Sequence, residues 1–287
     1  MNFLTNCPSQ GCGGFLVEKL VFYSPDQYEH IVGVGDSNYR RSWSLCSVCG
    51  IAKSFKSYEQ PSLDRIYEDG YRDVNFCLED RKEKINKILR FPREESEIKT
   101  RIAWITDSIN DEDRSGISAW NWHGLSCLDV GGGSLAFAAA LARLGAFSAV
   151  CDPDEGSSAV APFFNVSYHT KRFDDLDLPV TKFDFLSLNF VLEHIEDPWS
   201  MIALLKNFVA PGGFVYIEVP DSISLEKDPV DHDTFNSCHL WLFSLFSVVS
   251  GCHNHAPEFE VVACSRHINQ RGYRAVRCLL KLEMFSE

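Results

Sequence analysis

Apolar and polar positions along this chain follow two periods. In SEIKTRIAWITDSIN, Ile98, Ile102, Ile105 and Ile109 recur at three- and four-residue spacing, which predicts an amphipathic helix. From about residue 120 short apolar runs alternate with helical segments. LSCLDVG, AFSAVCD, FDFLSLNFV and FVYIEVP predict strands. LAFAAALARLG, closed by Gly145, and DPWSMIALLKNFV, opened by Asp197 with Pro198 in its first turn, predict helices. The last runs, FEVVACSRH and RGYRAVRCLLKL, predict an antiparallel pair. Residues 1–60 hold only short β-like pieces, FLVEKLVFY and YRRSWSLC, between turns. Strand–helix alternation closed by a hairpin predicts an α/β fold, with a mostly parallel sheet covered by helices on both faces.

Composition narrows this picture. The 287 residues are 45% hydrophobic and 23% charged, enough apolar material for a sizeable core. The longest apolar run, His239 to Val249, is far short of the ~20 residues of a membrane span, so no membrane partner is expected. The opening MNFLTNCPSQ has neither a basic nor a long apolar region, and a cytoplasmic protein without a secretory signal is expected. The net charge of −13 is local. Residues 151–260 carry 18 acidic and five basic side chains, whereas the first sixty residues balance at five of each. Such a surface disfavours nucleic acid, which needs clustered Lys and Arg.

Four of the eleven cysteines stand in pairs, Cys7 and Cys12 in CPSQGCGG and Cys46 and Cys49 in CSVCGIA. Two thiolates on a tight turn can reach one tetrahedral zinc, and a following glycine lets the backbone curl around it. The spacing predicts a zinc ribbon over residues 1–60 with a structural metal and no open coordination position. Two unrelated thiol pairs, a redox CxxC, or iron in place of zinc are the competing readings.

LSCLDVGGGSLAFAAAL sets a glycine turn between a strand and a helix, where open α/β sheets bind nucleotides and related cofactors. Gly131 and Gly133 let backbone pass close beneath a ligand, and Asp129 ends the strand at its carboxyl edge. Twenty-three residues on, Asp152 ends the next strand, where it can accept hydrogen bonds from two ribose hydroxyls.

With these motifs in order, the chain from about Leu125 to Leu282 resembles the class I S-adenosylmethionine-dependent methyltransferases. LDVGGGS is similar to the family's first motif and AVCDPDE to its second. RFDDLDLPVTKFDFLSLNFVLEHIEDP resembles the adenine and fourth-strand segment, and NFVAPGGFVYIEVPD the PGG turn and fifth strand. The resemblance implies a Rossmann-like seven-stranded sheet and S-adenosylmethionine as cofactor. It implies that Asp152 binds ribose, that Asp174 sits near the adenine amino group, and that Asn189 lines the floor beneath the sulfonium. Gly131, Gly132 and Gly133 would pass beneath the methionine moiety. Leu135 stands where the family has a further glycine, which implies a narrower methionyl end and weaker binding. Asp174, among Asp175 and Asp177, also reads as a solvated loop, and Glu193 and His194 read more simply as turn or surface residues than as catalysts.

His239-Leu240-Trp241-Leu242-Phe243-Ser244 resembles the H-x-x-x-F-S motif of zinc-containing sugar C-methyltransferases, in which the histidine is associated with proton removal beside a ketone. CSVCG and YEDGYRD extend that resemblance over nearly the whole chain. It implies His239 as base and a small-molecule acceptor, with a nucleotide-linked sugar among the implied classes, methylated at carbon or oxygen. Asn236 and Cys238 replace a tyrosine and a glutamate of that family, leaving its polar set incomplete. As a plain residue, His239 would open a helix and bond to backbone, and His232 is a second candidate base. His253 and His255 read as a solvent-facing turn. Tyr67 and Tyr71 are candidates for a lid over the cofactor or for packing between domains. Arg40 and Arg41 are candidates for contacts to a diphosphate. The organisation expected is a zinc-ribbon-like domain over 1–60, a helical connector over 61–119 and a methyltransferase domain over 120–287. The rival to an enzyme is a binding or scaffolding protein that kept this fold and lost transfer. A nicotinamide-dependent oxidoreductase is weaker, since the glycines lack a full GxGxxG.

Overall fold

A computed structural model describes residues 5–9, 11–35, 37–57, 81–112, 119–177 and 181–284. Tyr67, Tyr71 and the YEDGYRD segment lie outside these residues. Two sheets are formed. The smaller has the order β1-β2-β3-β4-β10, built from β1 (Thr5–Asn6), β2 (Phe15–Phe22), β3 (Arg41–Cys46), β4 (Ala52–Lys56) and β10 (Trp241–Leu242). The larger has seven strands in the order β11-β12-β9-β8-β5-β6-β7. Its members are β5 (Ser126–Val130), β6 (Phe147–Cys151), β7 (Val166–His169), β8 (Phe183–Asn189), β9 (Val209–Pro220), β11 (Phe259–Ile268) and β12 (Arg274–Leu282). β5 to β9 pair in parallel, while β12 runs antiparallel to β9 and β11 antiparallel to β12.

Helices cover both faces of the large sheet, which is why its central strands are largely apolar. One core packs α2 (Arg81–Arg90), α3 (Glu97–Glu112) and α4 (Ala136–Arg143) onto it through Ile85, Ile105, Ile109 and the Ala138–Leu141 run. α3 buries Ile98, Ile105 and Ile109 as their spacing predicts, and with them Arg101. The opposite core packs α6 (Pro198–Leu204) and α8 (Leu245–His255) through Trp199, Ile202, Val248 and Cys252. Asp197 caps α6, its carboxylate accepting the Ser200 N–H at 3.1 Å, with Pro198 next in line.

Three elements differ from their sequence expectation. β7 is a short partly exposed strand with little apolar signal. His239 opens no helix: Trp241 and Leu242 pair antiparallel with Lys53 and Ala52, and the helix begins only at Leu245. His253 and His255 sit in the last turn of α8, where His255 stacks on Trp199 at 5.6 Å.

Candidate active site

The carboxyl ends of β5, β6 and β8 place Asp129, Asp152 and Asn189 along one edge of the parallel sheet. Asp129 is buried and accepts hydrogen bonds from Ser187 Oγ at 2.6 Å and Asn189 Nδ2 at 2.9 Å. Burial pushes its carboxyl up to about 6 against the pull of those two donors and of Arg101. The glycine turn wraps this group. Gly131 has φ +67°, and a Cβ there would stand 2.6 Å from Val191 Cγ2; one on Gly132 would run into the Asp129 carboxylate. A Cβ on Gly133 would meet Asp152 Oδ2 at 3.0 Å. Glycine is therefore required at these positions by φ, by close approach, or by both.

Asp152 holds the loop after β6 by accepting the Asp154 N–H at 2.7 Å. Asp154 in turn binds Arg81 of α2 at 2.5 Å, and Arg81 also donates to Ser157 Oγ at 2.7 Å. The Ser157 hydroxyl donates to the Gly133 carbonyl, so Arg81 fixes the glycine turn through one intermediary. Nothing in the local sequence announces this clamp, because Arg81 lies about seventy residues from its partners. Among the described residues the buried Asn189 Oδ1 has no hydrogen-bond partner, which leaves an unsatisfied acceptor at the sheet edge. A cradle of bare glycine backbone, a carboxylate at the end of the second strand and an orphaned amide oxygen fit a ligand bearing hydroxyl and ammonium groups. Asp174 lies after β7 on an exposed turn at this end of the sheet, accepting from Arg172 Nε at 3.4 Å.

Leu135 occupies the left-handed region (φ +59°, ψ −13°) that the missing glycine would have supplied, and its side chain is fully buried in the core of α4. Behind the edge, Glu218 at the end of β9 binds Arg101 Nε and accepts the Tyr216 hydroxyl at 2.6 Å. Burial alone would lift its carboxyl; Arg101, Arg277 and that hydroxyl outweigh it and hold it at about 2.

A second group of side chains lies beyond β8. Glu193 and His194 sit on a single turn, four and five residues past Asn189. The His194 and His239 rings meet edge to face with centroids 4.9 Å apart. His239 Nδ1 is 2.8 Å from the Thr234 carbonyl, and His194 Nδ1 is 2.9 Å from the Cys238 carbonyl. A carbonyl only accepts, so both Nδ1 atoms carry the proton and both Nε2 atoms are the unprotonated nitrogens. Burial drives both imidazoles down, His239 to about 4 and His194, beside it, to about 3. Glu193 is fully buried with neither carboxylate oxygen hydrogen-bonded among the described residues, and burial raises its carboxyl well above the usual range. His232 instead caps the turn at Asp233, with Nδ1 2.9 Å from Thr234 Oγ1.

The small sheet holds the His239 loop in place. Arg41 Nη1 donates to Phe235 O at 2.5 Å, Lys56 Nζ to Ser237 O at 2.7 Å and Ser54 N to Leu240 O at 2.9 Å. Asp26 accepts both N–H and Oγ–H of Ser237. Arg41 is thus consumed in the interior, whereas Arg40 lies at the surface paired with Glu18. Asn236 is spent within the same loop on Cys238 N and Asp233 O, and Cys238 is buried against Tyr28.

At the far side of the small sheet the four paired cysteines converge. Cys7 and Cys49 sulfurs lie 3.6 Å apart, those of Cys12 and Cys46 3.5 Å, and all four ligand atoms fall within 4.8 Å of one another. Backbone N–H groups of Val48 and Cys49 point at Cys46 Sγ, each at 3.4 Å.

A methyltransferase-domain family matches residues 79–255. The chain belongs to that family. The match covers β5 to α8, with the glycine turn and the His239 loop inside it, and makes the chain a methyltransferase. Among solved structures, a 1,6-didemethyltoxoflavin-N1-methyltransferase of Burkholderia thailandensis with bound S-adenosylhomocysteine has 14% identity and a TM-score of 0.55. That likeness covers 82% of this chain and 96% of that one. The magnesium protoporphyrin IX methyltransferase of Synechocystis PCC 6803, with bound S-adenosylmethionine, has 14% identity and a TM-score of 0.53, over 78% and 99%. At such identity the likeness is one of fold. No curated protein sequence matches the chain. Among the described residues no helix is long and apolar enough to cross a membrane.

Proposed function

We propose that the chain transfers a methyl group from S-adenosylmethionine to a small-molecule acceptor at carbon or oxygen, with a keto sugar, carried on a nucleotide, as the acceptor class. The observation that carries this reading is the pairing of two sites on one sheet edge. The glycine turn with Asp129, Asp152 and Asn189 lies on β5, β6 and β8, and the His239 Nε2 lone pair is brought beside the turn that follows β8. Bound there, S-adenosylmethionine supplies an activated methyl on a sulfonium, so the chain has only to position an acceptor and take its proton.

In this reading Asp152 binds the ribose hydroxyls, Asp174 faces the adenine amino group, and Gly131, Gly132 and Gly133 pass beneath the methionine moiety. Asn189 forms the floor, with its Oδ1 turned to the cofactor, and Asp129 braces the turn from below. His239 is the base, with the tautomer set by the Thr234 carbonyl so that Nε2 receives the proton. Its resemblance to the histidine of the sugar C-methyltransferases supports the acceptor class. Cys7, Cys12, Cys46 and Cys49 would hold a structural zinc, closed to solvent chemistry by four thiolates. The scaffold alternative is less favoured, since the family match spans both the glycine turn and His239.

Calorimetric titration with S-adenosylmethionine and S-adenosylhomocysteine tests the cofactor half. Wild type should bind both, and Asp152→Ala should weaken both roughly 10- to 100-fold, the loss of one or two charge-assisted hydrogen bonds. Absence of binding in folded, metal-replete protein would overturn the reading.

A further inference from the structure

We propose that Glu193, His194 and His239 form a binding site for one divalent transition-metal cation of the zinc class, separate from the four-cysteine cluster. One ligand atom from each of the three lies within 4.8 Å of the others. Each Nδ1–H is spent on a backbone carbonyl, Cys238 O for His194 and Thr234 O for His239, so on both rings Nε2 is the unprotonated nitrogen, the tautomer in which imidazole ligates a metal. These carbonyl contacts are the kind of outer hydrogen bond that orients metal-bound histidines.

Glu193 provides the independent observation. Its side chain is fully buried and both carboxylate oxygens lack a hydrogen-bond partner among the described residues. A buried carboxylate in that state needs a proton or a cation. His194 stands beside it, its Nε2 3.8 Å from Glu193 Oε1. Its backbone is fixed as well, the Glu193 carbonyl accepting the Leu240 N–H at 2.7 Å. The ligands come from two chain segments, the turn after β8 on the large sheet and the loop clamped by Arg41 and Lys56 of the small sheet and by Asp26 between β2 and β3. Two imidazoles and one carboxylate form a donor set suited to Zn²⁺, Co²⁺ or Fe²⁺, with a coordination position left for a water or a ligand oxygen.

One consequence rests on the function proposed above. The lone pair that would take a proton from the acceptor is the one that would bind the cation, so a loaded site and His239 as base exclude each other. The cation is then an inhibitor of transfer that leaves cofactor binding intact.

The test is a titration of the full chain, purified with its four-cysteine cluster loaded with zinc, using Co²⁺ as probe. One further equivalent should bind, with weak visible d–d bands and without the near-ultraviolet thiolate charge transfer that cobalt in the cysteine cluster would give. Glu193→Gln and His194→Asn should each weaken it at least ~10-fold. As a measurement on unmutated protein, Cu²⁺ bound at the same stoichiometry should show superhyperfine coupling to two nitrogens. Failure of wild type to take up a second equivalent, or uptake that both substitutions leave unchanged, would overturn the proposal. So would a carboxyl stretch showing Glu193 protonated and undisturbed by added Co²⁺. S-adenosylhomocysteine titrations on the same samples report the methyltransferase reading separately, because Asp152 and the glycine turn share no ligand atom with the cluster.

Discussion

Leu135 shows how one side chain can carry two opposed terms. Its left-handed backbone costs a non-glycine residue about 1–2 kcal/mol, yet its side chain is fully buried with α4. Removing a buried leucine costs about 3–5 kcal/mol, so packing outweighs strain. Leu135→Gly should therefore lower stability by roughly 2–4 kcal/mol in denaturant titrations. It should leave S-adenosylhomocysteine affinity unimproved, because the leucine's bulk lies in the core. A tighter complex from the glycine variant would show that the side chain does constrict the methionyl end. Glu218 is the second residue-scale case. Its carboxyl is held at about 2, below the ordinary 4.5, after burial is outweighed by Arg101 and Arg277. A depressed acid contributes stability that is present above about pH 4.5 and lost as pH falls toward 2, here about 3 kcal/mol in full. Glu218→Gln should remove that contribution and leave Arg101 buried without its partner. The deficit at pH 6 should be about 3–5 kcal/mol and should narrow steadily below pH 4.5. A deficit independent of pH would place the cost in packing alone.

Elements whose signals are local were readable from the chain alone. β5, the glycine turn, α4 and β6 follow from an apolar run, three glycines, an alanine-rich helix and a second apolar run ending in Asp152. α6 follows from Asp197 and Pro198. What could not be read is whatever depends on a distant partner. The run from His239 to Val249 is apolar at every period, so it reads as helix. Only pairing with Lys53 and Ala52, some 190 residues away, makes Trp241 and Leu242 a strand. Glu193 and His194 look like a turn until the fold brings His239 to them. Ser244, in the same segment, ties α8 to the β3–β4 turn: it caps α8 by accepting from Ser247 N at 2.9 Å and donates to the Cys49 carbonyl at 2.5 Å. Gly50, at φ +71°, makes room for it, since a Cβ there would stand 3.1 Å from Ser244 Cβ. Ser244→Ala loses a helix cap and one buried hydrogen bond, about 2 kcal/mol together. The same variant should release metal from the cysteine cluster faster, measurable with a colorimetric chelator, because the carbonyl it held belongs to a ligand residue. Release at the wild-type rate would confine Ser244 to capping.

At the scale of the whole molecule, the two sheets divide the work of one site. Every residue proposed for the cofactor lies on the large sheet or its connecting loops, while the His239 loop is held by Arg41, Ser54 and Lys56 of the small one and by Asp26 in the connection between β2 and β3. The small sheet has little core of its own, chiefly Trp43, Ala52, Phe235 and Leu242, and two of those four come from the His239 segment. Its other anchor is the cysteine cluster, whose Cys46 and Cys49 pack into the core shared with Trp241 and Phe243. A metal joining four cysteines across the ends of β1, β2, β3 and β4 would therefore stabilise the acceptor face more than the cofactor face. Cys46→Ser with Cys49→Ser should strip the metal and raise amide hydrogen exchange across 234–243 by orders of magnitude. Exchange in β5, β6 and β8 should stay slow, and S-adenosylhomocysteine affinity should hold within about threefold, less than 1 kcal/mol. Equal loss of protection in both sheets would mean that they unfold as one cooperative unit, and that the metal supports the cofactor site as much as the loop that carries His239.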